Sequence, residues 1–152
     1  MDRVAQAAGL VALGAGAWLL VDAWAELPGT VPVHFGVSGE PDAWGPGSTV
    51  ILLYVLGVVM YVALTFAERV PHTYNYPVEI TEENAWRQYA LGRELMAGTK
   101  AWVAVLFLFA VRVILMMAVG ERMAAPMAWV AALGGAYLAF LVAYFIRAGR
   151  AA

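Results

Sequence analysis

His34, Glu40 and Asp42 are the side chains of this chain best suited to chemistry. An imidazole and two carboxylates on one short stretch are ligands that a divalent cation such as zinc or manganese accepts. Their i, i+6, i+8 spacing lets them converge on a turn-rich loop, but no HExxH or other metal motif accompanies them. The competing reading is structural. A histidine can fix a proline-rich loop by hydrogen bonds, and Asp42 can cap a turn or the following helix. Beyond this candidate divalent metal no cofactor is expected. The second chemical candidate is a charge pair, Asp22 and Arg112, each set in an otherwise apolar run. A charge inside a bilayer costs at least ~2.5 kcal/mol unless it is paired or reaches the interface. Asp22 is therefore the natural partner for Arg112, with Glu26 second and the loop acids Glu40 and Asp42 as alternatives. A paired arrangement fixes packing, whereas a water-exposed one lines an ion or proton path.

The elements that must position these residues are read from hydropathy. Hydrophobic residues make up 63% of the chain and charged ones only 13%, against about half and about a quarter in soluble domains. The excess falls in four apolar runs, 4–24, 49–67, 101–119 and 123–146, each about the length of a transmembrane helix. The first is too long for the usual apolar core of a signal peptide and is expected to be a retained span. The fold expected is an all-α membrane protein of one domain, 1–152, with four transmembrane helices.

Between the first two runs lies a loop, 25–48, punctuated by Pro28, Pro32, Pro41 and Pro46. Thr30 to Phe35 reads as one extended piece and Gly36 to Gly47 as successive turns. The segment 68–100 separates the second and third runs. Pro71 and Pro77 prevent a helix in its first part. Thr81 reads as the N-cap of an amphipathic surface helix, with Glu83 and Arg87 as an i,i+4 pair and Gly98 as its break or bend. His72, Tyr74, Asn75 and Tyr76 read as interfacial anchors, with binding of a partner or a lipid headgroup as the alternative, and the tryptophans near the span ends read as anchors too.

Basic residues set the orientation. With four spans, Arg3, Arg69, Arg87, Arg93, Lys100, Arg147 and Arg150 fall on one side and Arg122 alone on the other. The positive-inside rule then places both termini and the segment 68–100 in the cytoplasm and the histidine loop outside, in an inner (cytoplasmic) membrane. The lipid bilayer is thus one partner. A net charge of −2 argues against nucleic acid. The absence of cysteine excludes disulfides and thiol chemistry. Neither a glycine-rich phosphate loop nor a serine, histidine and acid set is present, so catalysis is not expected. Two stripes of small residues, Ala5, Gly9, Ala12, Gly16 and Ala131, Gly135, Ala139, Ala143, suit close approach of another helix, within the chain, in a homo-oligomer or on another membrane protein.

The loop LPGTVPVHFGVSGEPDAWG resembles the signature of the SdpI family of bacterial membrane proteins, in the domain of unknown function that forms their N-terminal half. Pro28, Pro32, His34, Phe35, Gly39, Asp42 and Trp44 carry the resemblance, and Asn75, Pro77 and Asn84 resemble a second segment of the family. Two features depart from it: Gly45, Pro46, Gly47 and Ser48 stand where the family carries a basic residue after the WG, and fuller members have more spans. The resemblance implies a non-catalytic multi-pass module that binds or senses a secreted peptide or a protein at the outer face, of the immunity and signalling type. An accessory subunit of a larger membrane complex is the alternative, and a small transporter or metal-dependent membrane enzyme is the third. Stripes that both point inward favour a stand-alone bundle, and a stripe that points outward favours a subunit.

Overall fold

The computed structural model describes residues 2–121 and 126–151. Among these residues four helices are long and apolar enough to cross a membrane: α1 (Asp2–Ala23), α2 (Thr49–Ala67), α3 (Ala85–Ala118) and α4 (Pro126–Arg150). Arg122 and the first residues of the fourth apolar run lie outside the described residues.

The fold departs from all-α in one place. The loop after α1 holds two strands, β1 (Thr30–Phe35) and β2 (Pro41–Pro46), paired antiparallel from Thr30 opposite Pro46 to Phe35 opposite Pro41. Residues 41–46 were expected as turns because Pro41, Gly45 and Pro46 argue against a strand. In a two-stranded hairpin, however, both strands are edges, and proline is tolerated where no ladder donor is required. The register is irregular on both sides of His34. At the tip, Gly36 N donates to Glu40 O (3.0 Å) and Gly39 N to Gly36 O (2.8 Å). Gly39 has φ +81°, a conformation open to glycine at little cost.

The base of the hairpin plugs one end of the bundle. Val31 is fully buried and packs with Val50, Val111, Ile114 and Leu115, flanked by Leu19 and Leu20 of α1. We call this the hairpin end. Lower down, the first small stripe turns inward as close packing requires. Gly9 faces the ring of Tyr61 and Gly16 that of Tyr54, and Ala12 packs with Tyr61 and Ala104. The two tyrosine hydroxyls donate to carbonyls of α1, Tyr54 to Leu13 (3.0 Å) and Tyr61 to Gln6 (3.4 Å).

The expected surface helix is not a separate element. Residues 85–100 are the first half of α3, whose 34 residues extend ~50 Å at 1.5 Å per residue, well beyond a bilayer core of ~30 Å. Gly98 does not break it. Its missing side chain instead admits the ring of Phe140, so α4 can lie against α3 there. Around that contact Trp102 Nε1 donates to Leu133 O (3.0 Å), and the Trp102 and Tyr137 rings stack at 4.4 Å. The second stripe points away: Ala131, Gly135, Ala139 and Ala143 are exposed.

The start of α3 also shifts. Thr81 and Asn84 bond reciprocally, Asn84 N to Thr81 Oγ1 (3.3 Å) and Thr81 N to Asn84 Oδ1 (2.9 Å). Those bonds close a turn before the helix, which begins at Ala85. Glu83 therefore sits in a turn, the expected ion pair with Arg87 does not form, and Arg87 lies over the Trp86 ring at 5.2 Å.

Candidate functional site

At the hairpin end a polar cleft of about 310 Å³ lies between the ends of α1 and α3. Asp22 comes from the last turn of α1, Glu26 from the turn after it, and Arg112 from α3. Glu121 is brought in by the end of α3. Gly120, at φ +81°, reverses the chain so that Glu121 N donates to Met116 O (3.0 Å) and Gly120 N to Met117 O (3.2 Å), a pairing that satisfies the last carbonyls of a helix. The cleft thus holds three carboxylates and one guanidinium, all on exposed residues.

Asp22 and Arg112 line the same cleft but form no ion pair. The expected closed pair gives way to an open arrangement because Arg112 stands on the exposed side of α3 and reaches solvent at the cleft. Arg112 and Leu19 also line a second hollow, an apolar groove of about 420 Å³ between α1, α3 and α4 that is walled by Trp18, Leu108, Phe109, Trp129 and Leu133. The guanidinium is the joint between a polar chamber and an apolar one.

The hairpin brings together two of the three loop residues. His34 Nδ1 lies 2.5 Å from Asp42 Oδ1 across the strands, on side chains 69% and 52% exposed. A carboxylate can only accept, so the imidazole Nδ1–H is the donor. Glu40 is not drawn in. It sits at the tip, where its backbone N donates to Ser38 Oγ (3.4 Å) and its carbonyl receives Gly36 N. Among the described residues, no group of three His, Asp or Glu side chains is placed to hold a metal ion.

The other motif residues are mostly architectural. Pro32 is fully buried and Phe35 packs against the hairpin-end core. Gly39 shapes the tip, the Pro28 carbonyl closes on Gly47, and Trp44 is exposed. Asn84 is buried and also donates to Glu79 O (2.9 Å), whereas Asn75 and Pro77 are exposed.

At the opposite end, where both termini lie, the structure shows a cluster that sequence reasoning missed. Lys100 is 2% exposed, pairs with Glu68, reaches Thr65 Oγ1 (3.4 Å), and lies over the Tyr61 ring at 5.4 Å. Gln6 Nε2 donates to the second oxygen of Glu68 (3.3 Å). Three helices are tied at one carboxylate. The only signal in the sequence was a lysine at the junction of a polar and an apolar segment, which reads equally well as a topology charge.

Beside it Tyr74 and Tyr76 cross the gap between α2 and α3. Tyr74 OH donates to Ala67 O (2.7 Å) and Tyr76 OH to Pro71 O (2.8 Å), and their rings stack at 6.0 Å. Burial, then the neighbouring tyrosines Tyr144, Tyr74 and Tyr89, push Tyr76 up to about 12, and burial followed by Glu68 raises Tyr74. A raised folded-state value means that the neutral phenol is favoured in the fold. Its contribution is complete below the ordinary tyrosine value of 10.0 and disappears as pH rises through about 12. Ultraviolet titration should show a late tyrosinate step that Tyr76→Phe removes. A Tyr76→Phe protein with an unchanged alkaline titration would contradict this.

Among the described residues, four membrane-length apolar helices closed at one end by a hairpin define a multi-pass membrane protein. Residues 10–58, the stretch from α1 through the hairpin into α2, match the family model of a domain of unknown function, DUF1648. No curated protein and no solved structure matches the chain.

Proposed function

We propose that the chain is a non-catalytic membrane module that binds a basic, amphipathic peptide at its outer face, a narrower form of the peptide or protein partner that the resemblance to the SdpI family implies. The observation that carries this reading is the pair of hollows joined at Arg112. The cleft presents Asp22, Glu26 and Glu121 to ammonium or guanidinium groups, and the adjoining groove presents tryptophan, leucine and phenylalanine to an apolar face. A soluble cationic metabolite would need only the cleft, and a plain lipid tail only the groove. The basic residues gathered at the other end of the bundle support an outward-facing hairpin.

The test is a binding titration in lipid nanodiscs with a synthetic basic amphipathic helix, with an acidic peptide of equal hydrophobicity as comparison. The Asp22→Asn, Glu26→Gln, Glu121→Gln triple variant should bind the basic peptide at least ~10-fold more weakly, since each charge-assisted hydrogen bond contributes about 1.5–3 kcal/mol. Equal binding by the triple variant, or by empty nanodiscs, would reject the proposal.

One observation favours a second reading, a subunit of a larger membrane assembly. The stripe on α4 faces outward, and a Cβ built on Gly134 or Gly135 would meet nothing within 4 Å. Extraction in mild detergent followed by native mass measurement separates the two, because a stoichiometric companion supports the subunit and a lone chain does not.

A further inference from the structure

We propose that the termini end of the bundle carries a binding pocket for the phosphate of an anionic phospholipid. The pocket, about 290 Å³, is lined by Gln6, Thr65, Glu68, Arg69, Arg93 and Lys100, together with Pro71. Three cations from α3 and the end of α2 face one carboxylate. That carboxylate is already engaged: one oxygen of Glu68 takes Lys100 and the other takes Gln6. Among the described residues, Arg69 and Arg93 form no ion pair, so the pocket keeps an excess of two positive charges. Guanidinium groups suit phosphate because their N–H donors form a planar fork that matches two phosphate oxygens.

The location selects a lipid over a free anion. Arg69 lies two residues beyond the end of the apolar helix α2, and its guanidinium lies 5.3 Å over the ring of Phe66. Phe66 and Val62 are exposed on the adjoining face of α2, where acyl chains of the same lipid would run. A basic pocket between helices at a membrane edge is a recurrent setting for anionic headgroups. This site stands at the opposite end from the proposed peptide cleft and does not depend on it.

The experiment uses the full chain, released from nanodiscs of phosphatidylcholine that contain a minor fraction of phosphatidylglycerol, and reads retained lipid by native mass spectrometry. The expected result is one phosphatidylglycerol per chain in preference to phosphatidylcholine. The Arg69→Gln, Arg93→Gln variant should lose that preference by roughly thirtyfold, since each basic residue near the surface contributes about a kilocalorie. Arg69→Lys, Arg93→Lys should retain part of it, which separates lost charge from a failed fold. The control Arg87→Gln, Arg150→Gln removes equal charge from the same end of the bundle, outside the pocket, and should leave the preference intact. An equal loss in the control would overturn the proposal by showing diffuse surface attraction. Displacement of the lipid by millimolar inorganic phosphate would overturn the lipid as occupant in favour of a free anion.

Discussion

Glu68→Ala is expected to destabilise the protein by about 3–5 kcal/mol, the cost of leaving one member of a buried ion pair alone. Lys100 is 2% exposed and its partner 13%, so little water reaches the ammonium once the carboxylate is gone. What remains is Thr65 Oγ1 and the face of the Tyr61 ring, neither of which neutralises a charge. The same substitution releases Gln6 and loosens the join between α1 and α2. The double variant Glu68→Leu, Lys100→Met removes both charges at similar volume and should recover most of the loss, because an apolar replacement avoids the desolvation penalty altogether. Unfolding in detergent of the parent, Glu68→Leu, Lys100→Met and the double variant, treated as a double-mutant cycle, gives the coupling. A Glu68→Ala protein within ~1 kcal/mol of the parent would mean that water or lipid solvates Lys100 after all.

Gly39→Val should cost about 2–5 kcal/mol, the sum of ~1–2 for a left-handed backbone with a Cβ and ~1–3 for overpacking. Gly39 holds φ +81° at the hairpin tip, and a Cβ there would lie 2.5 Å from Pro126 Cγ at the start of α4. The tip and α4 touch through this glycine, so the variant should also part them. Because the chain has no native cysteine, a pair of introduced cysteines across the contact would report the separation by crosslinking. Combining Gly39→Val with Pro126→Gly should return the steric share and leave the backbone share. Full recovery in that double variant would show that the left-handed conformation is not required.

The helices were legible because a bilayer-length apolar run has one stable form. With no water to satisfy the backbone, it must be a helix or part of a closed barrel. That reasoning located α2 (Thr49–Ala67) to the residue. It failed where competing local signals had equal weight. Pro41 and Pro46 read as turns, yet both lie in β2, since a lone hairpin has only edges. Gly98 read as a break, yet it is the seat of Phe140. For the candidate site, the residue types were visible and their grouping was not. His34 and Asp42 meet across two strands, but Glu40 stays with the tip. Asp22 and Arg112 share a cleft without pairing, and Glu121 joins them only because Gly120 turns the chain back.

By itself, then, the sequence determined that four helices are long and apolar enough to cross a membrane and that a chemically distinct loop joins the first two, since hydropathy and chain length act locally and additively. Only the tertiary structure decided which small-residue stripe is used inside and which is left bare, that Lys100 is buried on Glu68, and that one guanidinium joins a polar cleft to an apolar groove. Those outcomes depend on which side of each helix faces its neighbours. An apolar surface turned toward lipid and one turned toward another helix have the same composition, so rotation and pairing are set by packing between segments distant in sequence.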